Sequence, residues 1–129
     1  MVSEELTFKA EQVEFYTEEF TPDFRVHAIH FAQGDPEEEG NHWNFSRSEP
    51  DDNEGVCTVK EIQQLTMYGG MNKFILERGK IICQFSEDAA FKTGFKTILI
   101  HFQIPEEKWE QLAEIARLVF YEENYFEVR

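Results

Sequence analysis

From Phe95 to Ile104 apolar side chains fall on every second residue, and directly afterwards, from Pro105, they fall three and four apart. The first spacing puts Ile98, Ile100, Phe102 and Ile104 on one face of a strand. The second puts Trp109, Leu112, Ala113, Ala116, Val119 and Phe120 on one side of a helix. A strand face and a helix stripe that are both apolar must be buried together, so the chain reads as α+β. Pro105 at the first helical position, with Glu106 and Glu107 behind it, is a good start signal. The expectation is a single α+β domain over residues 1–129. Its mainly antiparallel sheet carries one long C-terminal helix, Pro105–Phe120, on the Ile98/Ile100/Phe102 face, and one short helix at its edge.

The residues upstream fit this scheme. Phe74 to Cys83 reads as a hairpin, because Gly79 supplies the positive φ of a tight turn between two apolar runs. Ser86 is a helix N-cap followed by Glu87 and Asp88, which favour the positive helix end, and Gly94 suits the C-terminal cap. The N-terminal half is β-rich but less regular. Alternating segments occur in Phe8–Phe15 and Phe24–Phe31, His42–Ser46 sets Trp43 and Phe45 on one face, and Val56–Ile62 is a further strand. Leu65–Tyr68 extends the sheet as far as Gly69-Gly70, which turns or bulges the chain. The terminal run Tyr121–Arg129 alternates as a last short strand would, with a partner-docking tail as the other reading.

Charge narrows the function. Among 129 residues there are 26 Asp and Glu against 12 Lys and Arg, a net charge of −14. Such a field repels nucleic acid and anionic membrane and attracts basic proteins. The chain is nevertheless 41% hydrophobic, with 13 Phe, enough to build a core that buries roughly two-thirds of the unfolded surface. No run approaches the ~20 apolar residues of a membrane-spanning helix. The start of the sequence carries no signal-peptide pattern, so a cytoplasmic location is expected.

The chemistry-bearing residues do not assemble into a catalytic or metal motif. His27 and His30 are three apart on a strand and point to opposite faces, while His42 and His101 are distant. There is no His-x-His, HExxH or Cys-x-x-Cys spacing, and Asp51-Asp52-Asn53-Glu54-Gly55 lacks the alternating ligands of a calcium loop. Cys57 and Cys83 sit in strand-like runs and read as buried reduced thiols. No GxSxG is present, and Tyr68-Gly69-Gly70 has no Gly-Lys-Ser/Thr after it to make a phosphate loop. The expectation is therefore no enzyme, no cofactor and no metal.

Residues 65–120 carry a likeness to a known family. Leu65-Thr66-Met67-Tyr68-Gly69-Gly70-Met71 precedes a hairpin. Lys80-Ile81-Ile82-Cys83-Gln84-Phe85-Ser86-Glu87-Asp88-Ala89-Ala90-Phe91-Lys92-Thr93-Gly94 follows, then an apolar strand and a helix. This order resembles the immunity protein 10 family, small cytosolic proteins encoded with secreted bacterial toxins. Phe91-Lys92-Thr93-Gly94 departs from a Leu-Gly ending, and Cys57-Thr58-Val59 stands where the family carries a tyrosine-containing segment. The resemblance implies stoichiometric neutralisation of a cognate basic toxin domain and maps scaffold rather than interface.

Two polar segments, Gln33–Asn41 and Ser48–Gly55, are loops dense in acid. Their Glu37, Glu38, Glu39, Asp51, Asp52 and Glu54 are the candidate partner-binding carboxylates. Trp43, with Tyr16 and Tyr68, is a candidate aromatic anchor. Two other functions compete with a dedicated inhibitor: a regulatory module that recognises a basic protein or peptide, and a small enzyme with an acidic pocket. The enzyme would need a concave cleft with convergent carboxylates or a His–acid pair.

Overall fold

The computed structural model describes residues 2–34, 41–50, 55–60 and 65–129. It confirms a mixed α+β chain but divides the strands between two five-stranded sheets. In chain order the elements are β1 (Ser3–Lys9), β2 (Gln12–Thr21), β3 (Phe24–Ala32), β4 (His42–Glu49), β5 (Cys57–Lys60), β6 (Leu65–Tyr68), β7 (Met71–Glu77), β8 (Lys80–Phe85), α1 (Glu87–Thr93), β9 (Phe95–His101), α2 (Glu106–Val119) and β10 (Phe126–Val128). Strands β2 to β6 form an antiparallel meander in sequence order. The other sheet, ordered β1-β9-β8-β7-β10, is mixed, because β1 lies parallel to β9 and β10 parallel to β7.

The expected local signals appear where the residues place them. The β7–β8 hairpin closes with Glu77 opposite Lys80, and Gly79 takes φ 86° in its turn. Ser86 accepts the Ala89 N–H at 3.2 Å and so caps α1, whose other end closes on Gly94 at φ 90°. The chain passes from the meander to the mixed sheet through Gly69 and Gly70, both at positive φ. A Cβ on Gly70 would lie 2.8 Å from that of Ala89, so close packing as well as φ requires glycine there. The terminal run ends in the short strand β10.

Two expectations need correction. The C-terminal helix is of ordinary length, 14 residues, and Pro105 stands before it as the N-cap, with φ −60° and ψ 150°. Nor does the helix lie on the Ile98/Ile100/Phe102 face. Its main neighbour is β3, flanked by β2 and β4 of the meander. Small residues on the buried stripe, Ala113 and Ala116, let its backbone come close.

The inner faces of the two sheets supply the rest of the core. Trp43 stacks on Phe85, Phe45 meets Phe74 edge-on at 5.1 Å, and Phe31 lies 5.4 Å from Phe102. Ile98 and Ile100 are thus buried beneath the opposite sheet as well as beside their neighbours Cys83 and Ile81. Burial of each such large side chain contributes about 1.5–3 kcal/mol. Cys83 is inside this core and Cys57 is half-buried in the other sheet, and both are reduced. Burial pushes the Cys83 thiol far above its ordinary pKa, so it stays protonated.

Candidate functional site

Strand pairing decides which side chains share a surface. In the meander, Tyr16 is registered with Ala28, Ala28 with Ser46, Ser46 with Cys57, and Cys57 with Tyr68. Residues in cross-strand register point to the same face. One row therefore runs across all five strands, with a tyrosine at each end and small residues between. Four strand spacings separate the tyrosines by about 19 Å. Both rings are exposed, Tyr16 by 42% and Tyr68 by 52%. Ala28, in contrast, is 1% exposed, a floor residue overshadowed by its neighbours.

The same face carries further aromatic and acidic groups. Phe24 and Val26 lie on it with Ala28, and the Phe20 and Phe24 rings approach to 5.7 Å where β2 turns into β3. Phe24, Val26, Ser46, Cys57 and Tyr68 border a shallow depression of about 300 Å³. Glu14, registered with His30, and Glu18, registered with Val26, flank the row on β2. Asn44 donates to His30 Nδ1 at 3.3 Å, tying that part of the face together. Helix α2 covers the opposite face. This one is an aromatic, acid-bordered sheet surface.

The candidate residues divide accordingly. Trp43 is 0% exposed, between the sheets, with the Lys60 ammonium 5.6 Å from its ring. It is a core residue and not a surface anchor, because its position in β4 puts it on the inner face with Phe45. Tyr16 and Tyr68 are brought together on the outer face. Glu37, Glu38, Glu39, Asp51, Asp52 and Glu54 lie outside the described residues.

A second feature lies where the end of the meander meets the C-terminal end of α2. His27, Arg47, Ser48, Glu49, Leu118 and Tyr121 line a groove of about 340 Å³. His27, 4% exposed, stands between two partners: Nδ1 is 2.7 Å from Thr17 Oγ1 and Nε2 is 2.8 Å from Glu49 Oε2. This hydrogen bond is the main reason the Glu49 carboxyl is held below its ordinary range, with Arg25 adding to it against some desolvation. An ionised Glu49 accepts from Nε2–H, which leaves Nδ1 of a neutral ring to accept from the Thr17 hydroxyl. The set is a hydroxyl–imidazole–carboxylate relay, a His–acid pair at the rim of a concavity.

Arg47 beside it is already engaged. It donates to the Tyr121 carbonyl at 2.6 Å and pairs with Glu123 at 3.3 Å, which pins the C-terminal end of α2 to β4. The histidine spacing in the sequence gave no sign of the relay. It depends on Thr17 being registered with His27, and on β4 bringing Glu49 alongside. Among the described residues, no group of three or more His, Cys, Asp or Glu is arranged to hold a metal ion.

No protein-family model matches the chain, and neither a curated protein nor a solved structure matches it. The immunity-family reading rests on residue order and charge.

Proposed function

We propose that the protein is a non-catalytic, acidic binding module of the cytoplasm that neutralises a cognate basic toxin domain by stoichiometric association. The outer face of the meander is its docking surface. The observation that carries this reading is the Tyr16–Ala28–Ser46–Cys57–Tyr68 row: two exposed tyrosines standing over small residues, bordered by Glu14 and Glu18, on a molecule of net charge −14. Exposed aromatic side chains with charge around them are what a protein interface uses for affinity and for fast association. The residue order of 65–120 supports the immunity role in particular.

The test is co-expression with the product of the neighbouring upstream gene. Rescue of growth, lost when Tyr16 and Tyr68 are both replaced by Ser, is the expected result. Failure of rescue together with failure to form a complex removes the proposal. Binding of many unrelated basic proteins, with little dependence on salt, would instead favour a general regulatory module.

A hydrolytic reading draws on the Thr17–His27–Glu49 relay, since polarising a hydroxyl is what such a chain does in acyl transfer. Its measurement is ester hydrolysis by the protein and by Thr17→Val. Turnover abolished by the substitution would support an enzyme, whereas turnover equal in both proteins would dismiss it.

A further inference from the structure

The outer face ends at β2, an edge strand of the antiparallel sheet. Among the described residues it pairs with β3 alone, which leaves a ten-residue strand at the end of the antiparallel sheet with half of its backbone N–H and C=O groups directed away from the sheet. The other terminal strands are shorter: β6 has four residues, β10 three and β1 seven. Strand β1 also carries Lys9, and its Glu4 binds Lys96. The usual devices that discourage pairing at an edge are proline, lysine, brevity and a mid-strand bulge. Strand β2 has no proline and no lysine, and its irregularity falls only at the far end, between Glu19 and Thr21.

What β2 does carry is Glu14, Glu18 and Glu19. These select among partners. If a second copy paired antiparallel about Tyr16, Glu14 would stand opposite Glu18 twice on one face, and like charges directly across a ladder are destabilising. A strand with lysine or arginine at those positions would place cations opposite the same carboxylates, each such pair contributing in the favourable sense. That register is disfavoured for a second copy by charge, and the same charge favours a basic strand.

We infer that β2 is a strand-addition site, at which an extended, lysine- or arginine-rich segment of a protein partner joins the meander as a sixth strand next to the Tyr16 face. This rests on the proposed function for the identity of the partner, but not for the chemistry of the edge. Main-chain hydrogen bonds would hold the added strand, and alternate side chains would choose it. The added strand would also widen the outer face, so that Tyr16 lies inside the interface instead of at its border.

The experiment uses the full chain and a short synthetic peptide in which lysine alternates with valine. Amide hydrogen exchange is followed residue by residue, at low and at moderate salt. The expected result is protection of alternate β2 amides, by about tenfold or more, with the β3–β6 amides little changed. A fully N-methylated peptide of the same charge should bind weakly and protect none of them. The double variant Glu14→Lys/Glu18→Lys, both sites exposed, should lose the protection given by the ordinary peptide. Equal behaviour of the two peptides, binding without protection in β2, or no binding would overturn the inference. So would sedimentation showing that the protein dimerises through β2. Because no toxin enters this measurement, its failure leaves the growth-rescue result intact, and a failed rescue leaves the edge chemistry intact.

Discussion

The two faces of the antiparallel sheet are built on one backbone and one set of ladder hydrogen bonds, yet they behave as different materials. On the inner face Ile29, Phe31, Trp43 and Phe45 have no exposure at all. On the outer face the register that holds them buries Ala28 and leaves Tyr16 and Tyr68 standing in solvent. The difference comes only from which side chain occupies alternate positions. The large apolar groups lie where α2 and the mixed sheet cover them. Small groups lie on the outer face in the row between the two exposed tyrosines. A covered face is held by volume; an uncovered one is shaped by the contrast in size between neighbours.

The strongest way to break this comparison is to exchange volume on the inner side. Phe45→Ala removes a ring wedged against Phe74, and should destabilise the protein by about 3–5 kcal/mol, read from urea unfolding midpoints at unchanged slope. Tyr68→Ser, on the outer side, should cost less than about 1 kcal/mol in the same assay. A similar loss from both would mean that the outer face is covered in solution. The second prediction turns from stability to binding. With a cognate toxin in hand, Tyr16→Ser and Tyr68→Ser should each weaken the complex by about 2 kcal/mol, roughly thirtyfold in Kd, with Tm nearly unchanged. Calorimetry on both variants checks this, and full affinity in both would move the interface elsewhere.

How much of this was legible in the sequence follows the same division. The local signals were readable because each is written within a few residues: the Gly79 turn, the Ser86 cap with Gly94, the alternation of β9 and the stripe of α2. Even the shared face of Trp43 and Phe45 follows from their spacing. The partition into two sheets was not readable, since period two states that a strand has a buried face but not which strand it pairs with. Strand β1 illustrates this. Its apolar residues are Leu6 and Phe8, and its partner β9 lies about ninety residues on, in parallel register. The seat of α2 was missed for the same reason, because the stripe fits either inner face and close approach through Ala113 and Ala116 decides it. Tyr16 and Tyr68 could be named as anchors one at a time, but only register through three intervening strands puts them on one surface.

A smaller effect tests whether local signals act independently of the faces. Ser86→Ala leaves the Ala89 N–H without its side-chain acceptor at the start of α1. The loss should be about 1 kcal/mol, as for other N-caps, and should add to that of Tyr68→Ser, which lies before the Gly69-Gly70 turn in another sheet. Double-variant unfolding measures this. A coupling well above about 0.5 kcal/mol would show that α1 and the outer face form one cooperative unit through Gly70.

The smallest expected effect concerns His27, on the inner face where the end of the meander meets the end of α2. Glu49 is exposed at its carboxylate, yet its pKa is lowered, first by the hydrogen bond from His27 and then by Arg25. The sign of the linkage is fixed by that direction. A carboxyl that binds its proton less readily in the folded state contributes stability above its unfolded pKa, and that contribution is lost as pH falls through the depressed folded value. Glu49→Gln cannot titrate, so the stability gap between the native protein and the variant should be constant at neutral pH and close on acidification. Exposure and screening keep the gap small, and salt should narrow it further. Urea unfolding of both proteins across the acid range checks this. A gap that persists at the acid end would mean that Glu49 acts through packing of its side chain instead of its charge, and the Thr17–His27–Glu49 chain would then be a steric clamp on the end of β4.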